Sequence, residues 1–471
     1  MISLNFIKPA LGIFLLPLYL NVLTGAEYGL YTLMVAVSGI VNITGTFRIN
    51  SSMTTFYWDY NHDETLTRKY LSQLFSFSLV LSLISFGLLI FLGPLLFELI
   101  FKDETVSFYP YGLIVIISAL VSATNSVYFI YLKNKKQFAK LSYILLTQII
   151  LAVIIQVVLI LGYKKGVYGL LLGVMIPYSL TLIYIIVIER NILNFKFDWN
   201  MIKPSMKYSI ALIPYLLIYW LSSTGDRIIL ENYLNLEVVG QYALLMTIAG
   251  MLFLVADSVM NGIRPFLYES FQRGSEQTGK YSQKLIKFYM AANIFAAGGI
   301  LLVGHNLSFI TTEETFIAAI PYFTLATCIV FLRSYLLLFN MQLNYTKSSN
   351  VISIISIFSL VVLLYLYHVL SGRYGLEGVL LAGIIAGLLS SIVFFVVAQR
   401  KIKMKYNLMD IWGIPFLCFL ALFAVHYYIN IDIRLKGAVQ FFISILAVIF
   451  VLRGNFKDII TLVKKKEVTI E

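Results

Sequence analysis

The sequence predicts an all-α polytopic membrane protein with about fourteen transmembrane helices: two parallel-repeat six-helix bundles around a central cavity, plus two extra C-terminal helices. Three observations predict it. Of 471 residues, 60% are hydrophobic and 12% are charged, whereas soluble domains carry roughly 25% charged residues. The apolar residues gather in runs of about 20, the length that crosses a hydrocarbon core roughly 30 Å thick. The chain also repeats itself at an offset near 211 residues. Continuous apolar runs without period-2 alternation select helices over barrel strands.

Apolar windows between charged or turn-rich breaks place the spans, in order, at 3–23, 29–50, 70–97, 107–132, 141–162, 167–188, 208–225, 238–263, 288–303, 316–339, 351–370, 375–398, 411–429 and 437–452. The first run continues past Lys8 to Leu23 and ends in Thr24-Gly25-Ala26-Glu27 without a small-residue cleavage site. It therefore reads as a span and not as a removable signal. The following connections alternate in charge. Those at 57–69, 133–140, 189–207, 264–287, 340–350 and 399–410, with the tail from Arg453, carry 25 Lys and Arg; the opposite connections carry 7. Positive loops face the cytoplasm, so both termini are expected there. Much of the net charge of +12 is then an orientation signal, with a secondary attraction to anionic lipids. A nucleic-acid partner is not expected. Cys328 and Cys418 lie inside apolar runs and define neither a disulfide framework nor a metal site.

A shift of 211 residues lays Gly29, Tyr31 and Leu33 on Gly240, Tyr242 and Leu244, then Gly39 on Gly250, Asn50 on Asn261 and Tyr57 on Tyr268. A shift of 206 sets Gly166-Val167-Tyr168-Gly169-Leu170 on Gly372-Arg373-Tyr374-Gly375-Leu376. Two matches at nearly one offset, each at the start of an equivalent span, indicate a duplicated six-helix unit. Parallel repeats facing a shared cavity are a transporter architecture. The expected division is 1–190 for the first lobe, 191–207 for a cytoplasmic linker, 208–400 for the second lobe, and 401–471 for two further helices and a basic tail.

Several segments resemble a known family: Lys8-Pro9 to Leu23, Gly25-Ala26-Glu27-Tyr28-Gly29-Leu30-Tyr31, Gly225-Asp226-Arg227-Ile228-Ile229-Leu230 with Val239-Gly240-Gln241-Tyr242-Ala243, and the paired Gly-x-Tyr-Gly-Leu motifs. In order along roughly residues 1–400 they are similar to Wzx-type polysaccharide flippases of O-antigen, capsule and exopolysaccharide export. Those belong to the multidrug, oligosaccharidyl-lipid and polysaccharide exporter superfamily. The resemblance implies a non-enzymatic flippase in the bacterial cytoplasmic (inner) membrane. Its cargo would be an undecaprenyl-diphosphate-linked oligosaccharide, moved by alternating access, with polysaccharide polymerase machinery as a possible partner. The amino terminus is about eleven residues shorter than the second repeat leads one to expect.

Ionisable groups inside spans cost roughly 2.5–3.5 kcal/mol each on insertion scales, so each invites a reason. Arg48 lies near the inner end of span 2, Arg264 ends span 8 on the same side and Arg333 lies in the inner part of span 10, so all three belong to the cytoplasmic half. Guanidinium forks bind phosphate oxygens bidentately, which makes the three arginines candidate substrate-binding residues. The alternative is that they snorkel to the head groups. Asp257 lies at a similar depth in the repeat-equivalent of the span bearing Arg48 and reads as an inner-gate or coupling residue, or as a structural partner of an arginine. Asp226 and Arg227, in the outer part of span 7, read as gate residues or as interfacial ones.

The heptapeptide Gly274 to Lys280 nearly spells a phosphate-binding loop, but Tyr281 stands where a Mg²⁺-binding Ser or Thr belongs and no strand precedes it. No cofactor is expected, and an ion gradient (H⁺ or Na⁺) or the membrane potential would drive transport. Two other readings remain: a cation-coupled multidrug or small-molecule extruder, and a membrane-embedded glycosyltransferase or polymerase. The first would favour a carboxylate-lined cavity, the second a large outer loop.

Overall fold

The computed structural model describes residues 15–189, 192–273, 276–346, 348–403 and 407–453. Among the described residues there is no β-strand, and eleven helical stretches are long and apolar enough to cross a bilayer. Physical reasons account for the difference from fourteen. Span 1 begins in residues 1–14, outside the described residues. Spans 11 and 12 run as one helix, Ser349–Lys401, kinked where Gly375 takes φ 55° and ψ −130°. Span 7 starts early, at Trp199, carries Lys203 and Lys207 in its first turns and stops at Trp220. A wide turn at Leu221–Gly225 and a short helix at Asp226–Glu231 follow it.

The chain divides into two compact units, Met1–Gly240 and Gln241–Glu471. The first contains α1 (15–22), α2 (Gly25–Thr44), α3 (Asn50–Tyr60), α4 (Glu64–Ile100), α5 (Leu113–Asn134), α6 (Phe138–Val157), α7 (Gly166–Ile188), α8 (Trp199–Trp220), α9 (Asp226–Glu231) and the start of α10 (Leu236–Ala249). Local chemistry sets these boundaries. Thr24 and Glu27 form a reciprocal capping box that starts α2, and Asp63 and Asp198 cap α4 and α8. At the end of this unit that carries the lysine-rich connections, called here the basic end, Tyr70, Phe75, Tyr128 and Ile202 are wholly or almost wholly buried.

The connection from α7 to α8 is tied down at the basic end through its backbone groups. α4 supplies the partners. Ser76 Oγ accepts from Asn194 N at 2.7 Å, Gln73 Oε1 accepts from Asp198 N at 2.7 Å, and Gln73 Nε2 donates to Lys196 O at 3.0 Å. Lys69 meets Asp198 at 2.6 Å, and Lys140 meets Glu189 at 2.6 Å.

Within this unit α10 begins against the start of α2. A Cβ on Gly29 would lie 2.1 Å from the Leu236 carbonyl oxygen, and a Cβ on Gly240 would lie 2.1 Å from that of Gly25. At the 211-residue offset Gly25 corresponds to Leu236 and Gly29 to Gly240, so the contact is reciprocal. Each repeat offers one glycine to the other's backbone, as close-packed membrane helices require.

The second unit holds the rest of α10, α11 (Met251–Arg273), α12 (Glu276–His305), α13 (Glu314–Ala319), α14 (Phe323–Tyr345), α15 (Ser349–Lys401), α16 (Ile414–Tyr428) and α17 (Ile433–Val451). α14 is its centre, packed against α11, α12 and α15. The two helices beyond the repeat are bound firmly. α17 lies along α12, with Gly298 against Ser444 and Gly437 against His305. Gln440 Nε2 donates to Thr324 Oγ1 at 3.1 Å and to Leu422 O at 3.0 Å. Lys287 and Asp410 pair at 3.0 Å.

The reciprocal contact generates the first prediction. Gly29→Ala or Gly240→Ala should destabilise by about 1–3 kcal/mol through overpacking, read as a lower melting temperature of the purified protein. Gly87→Ala, where a Cβ meets nothing within 4 Å, should melt like the parent. Equal melting of all three variants would mean that the helices do not approach this closely.

Candidate functional site

The clearest irregularity in the first unit carries Arg48. α2 stops at Thr44 and α3 starts at Asn50, so span 2 is interrupted by five turn residues and not continuous to residue 50. Phe47 and Arg48 take φ 47° and 53°, a left-handed region that costs a non-glycine residue roughly 1–2 kcal/mol. Two consecutive residues in this state amount to stored strain, which clusters at sites of function. Ser85 Oγ holds the break by donating to Gly45 O at 2.6 Å.

Arg48 is half-buried and donates to Asn42 Oδ1 at 2.6 Å. Asn42 in turn donates to Ala119 O at 3.3 Å. Arg48 Nε has no partner among the described residues, and neither have the nearby acceptors Thr46 Oγ1 and Asn50 Oδ1. The asparagine amide is anchored all the same, with Asn50 Nδ2 donating to Ser126 Oγ at 2.5 Å. Unwound backbone within a membrane is tolerated where it is buried in protein or lines a cavity. The break thus presents a cation with unspent donors, oriented by an asparagine.

In the second unit, Asp257 and Arg264 lie two turns apart on one face of α11. Between them Asn261 Nδ2 donates to Asp257 Oδ2 at 2.9 Å. Arg333 lies on α14, which packs against α11. Tyr289 of α12 is in electrostatic reach of Asp257 and donates to the carbonyl of Ser334 at 2.7 Å, beside Arg333. Arg264 and Arg333 are half-buried, and among the described residues neither forms an ion pair. Among the described residues, Arg48 thus keeps an unpartnered Nε, and Arg264 and Arg333 stand without an ion pair. Asp257 and Arg264 share a helix face, Arg333 stands on the neighbouring helix, and Arg48 belongs to the first unit.

Asp226 and Arg227 lie in α9 at the end of the first unit opposite the basic end, and both are buried. One residue there was not legible from sequence. Glu231, also buried, accepts from Lys102 N at 3.0 Å and Asp103 N at 2.8 Å, so its carboxylate satisfies the loop after α4. Asn232 Nδ2 adds a bond to Ile100 O at 3.1 Å. Nothing in the local pattern of Leu230-Glu231-Asn232 marks so distant a partner.

Among the described residues no three His, Cys, Asp or Glu gather as metal ligands. Gly274 and Ser275 and the side chains to Lys280 lie outside the described residues, while the backbone from Glu276 onward is already α12.

A family model for polysaccharide biosynthesis proteins matches residues 21–297. No curated protein matches the sequence. Among solved structures the chain is similar to the lipid II flippase MurJ in an inward closed conformation, at 15% identity and a TM-score of 0.66 over 98% of this chain and 99% of that one. It is also similar to a MATE protein in complex with MaD3S, at 14% identity and a TM-score of 0.52, covering 83% and 92% of the two chains. The Vibrio cholerae MATE transporter VcmN in its bent form matches at 16% identity and 0.51, covering 83% and 94%. At such identities the likeness is one of fold.

The strained break yields the second prediction. Phe47→Gly should melt higher than Phe47→Ala by the equivalent of about 1–2 kcal/mol, because glycine occupies the left-handed region without steric cost. If the alanine variant melts as high as the glycine variant, the left-handed break at residue 47 is excluded.

Proposed function

The chain belongs to the polysaccharide biosynthesis protein family, and from that premise we propose that it is a flippase for an undecaprenyl-diphosphate-linked oligosaccharide. It moves this lipid between the leaflets of the bacterial cytoplasmic membrane by alternating access. The observation that carries the reading is Arg48, a half-buried guanidinium with an unused Nε, displayed on a strained break in a membrane helix.

A diphosphate is the one group shared by all cargoes of this kind, whatever sugars they carry. Left unpaired in an apolar interior it would cost many kcal/mol. Arg48 supplies a fork that binds it in the first unit, and Arg264 and Arg333 offer the same chemistry within the second unit. Asn42 fixes the Arg48 guanidinium before the anion arrives, which reduces the ordering cost of binding. Asp257 is the acidic counterpart on the helix of Arg264. It competes with diphosphate for an arginine, and its protonation links an incoming cation to the cycle. An inside-negative potential favours outward movement of the anion by roughly 2.3 kcal/mol per charge per 100 mV. Half-buried arginines fit a cationic drug as cargo poorly, which sets the multidrug reading aside.

In cells whose surface polysaccharide depends on this chain, Arg48→Ala combined with Arg333→Ala should reduce export at least tenfold and accumulate lipid-linked oligosaccharide in the inner leaflet. Each lost charge-assisted bond is worth roughly 1.5–3 kcal/mol. Arg48→Lys should restore export only in part, since a point charge replaces the fork. Undiminished export by a double variant present at normal levels in the membrane would refute the assignment.

A further inference from the structure

The first unit contains a second arginine that the transport reading above does not use. Arg227 is 8% exposed, and among the described residues its Nε has no partner and its guanidinium makes no ion pair, with Asp226 beside it in sequence or with any other acid. Two other acids at this end are engaged. Glu231 is held by the Lys102 and Asp103 amides, and Glu27 by Thr24. A buried guanidinium with unspent donors is costly in an apolar interior, and a fold that retains one gains something when an anion arrives.

The surroundings suit such an anion. α9, which carries Arg227, packs against α2, where Tyr31 is in electrostatic reach of the guanidinium and its ring stands 5.9 Å from Tyr19 and 6.3 Å from Tyr28. Tyr19 is itself fixed by donating to Gln156 Oε1 at 3.0 Å. Tyr31 is half-buried. On the same helix the break bearing Arg48 begins at Gly45, after Thr44. At 1.5 Å per residue the two arginines are served by points of α2 on the order of 20 Å apart, most of the way across a hydrocarbon core roughly 30 Å thick.

We infer that Arg227 and the Tyr31 hydroxyl form a second binding station for a phosphate or diphosphate group, at the end of the first unit opposite Arg48. The inference rests on the flippase reading for its role as a receiving station, but the binding chemistry stands without it. The guanidinium takes two phosphate oxygens bidentately and the tyrosine hydroxyl donates to a third position. Anion occupancy then offsets a charge that the empty protein holds at a cost.

The test uses the full-length protein in two arms, inorganic pyrophosphate with the detergent-solubilised chain and undecaprenyl diphosphate in phosphatidylcholine nanodiscs. Both start from Arg48→Gln/Arg264→Gln/Arg333→Gln, which leaves Arg227 as the remaining candidate. Adding Arg227→Met should weaken binding at least tenfold, while Arg227→Lys should weaken it only a few fold. Binding in both arms identifies a general phosphate site, and binding in the lipid arm alone identifies the lipid headgroup as its ligand; either supports the station. In the otherwise unaltered chain, Arg227→Met should leave the melting temperature equal or higher, because an uncompensated charge is gone, and should shrink the rise that pyrophosphate produces. Unchanged affinity on adding Arg227→Met overturns the inference. So does a melting temperature that falls, since that marks a structural ion pair. If lipid-linked glycan is not transported but Arg227-dependent binding persists, the flippase reading fails and the station remains.

Discussion

Everything in this protein depends on one constraint: in a medium without water, each backbone group and each charge must find its partner inside the protein. Long helices are the default answer, and most of the chain takes it. The departures are therefore informative. Where α2 unwinds at Gly45 to Ile49, Ser85 satisfies one freed carbonyl and Asn42 orients the arginine that the break exposes. Outside the apolar region, where the chain runs without secondary structure between α7 and α8, Ser76 and Gln73 on α4 take up three of its backbone groups. Arg48 and Arg227 are two of the places where the constraint is only half met, and there an anionic ligand would complete it.

The same constraint explains how helices come together without a hydrophobic driving force between them. Association then rests on close packing of small residues and on polar ties. The Gly29 and Gly240 contact sets backbone against backbone, and its reciprocity follows from the internal duplication. In the second unit, Gly298 and Gly437 admit α17 against α12, and Gln440 ties α17 to both α14 and α16.

Much of this was legible in the sequence. Helical class, the duplicated architecture and the offset between repeats follow from hydropathy and from glycine and tyrosine positions that survive at one spacing. The break after Thr44 was not legible, because Gly45-Thr46-Phe47-Arg48 contains one glycine and no proline, and apolar character continues across it. Hydropathy reports burial in the membrane and is blind to whether the backbone inside it is wound. Span 7 was misread for a related reason: Lys203 and Lys207 look like a loop, yet they are the first turns of α8. Among candidate site residues, the arginines and acids stood out by their cost. Asn42, which orients Arg48, carries no local motif that marks it, and Gln156 and Glu231 meet Tyr19 and the Lys102 and Asp103 amides from distant parts of the chain.

The central claim is that the protein recognises a diphosphate through arginines and moves the lipid attached to it. The most direct measurement is the leaflet-to-leaflet rate of a fluorescent glycan in proteoliposomes, with the same glycan carried on undecaprenyl diphosphate or on a neutral polyprenyl lipid. The account predicts protein-dependent movement of the diphosphate-linked form, sensitive to the imposed membrane potential, and a neutral form that moves no faster than in protein-free vesicles. Equal rates for the two lipids, or rates indifferent to the protein, would contradict it.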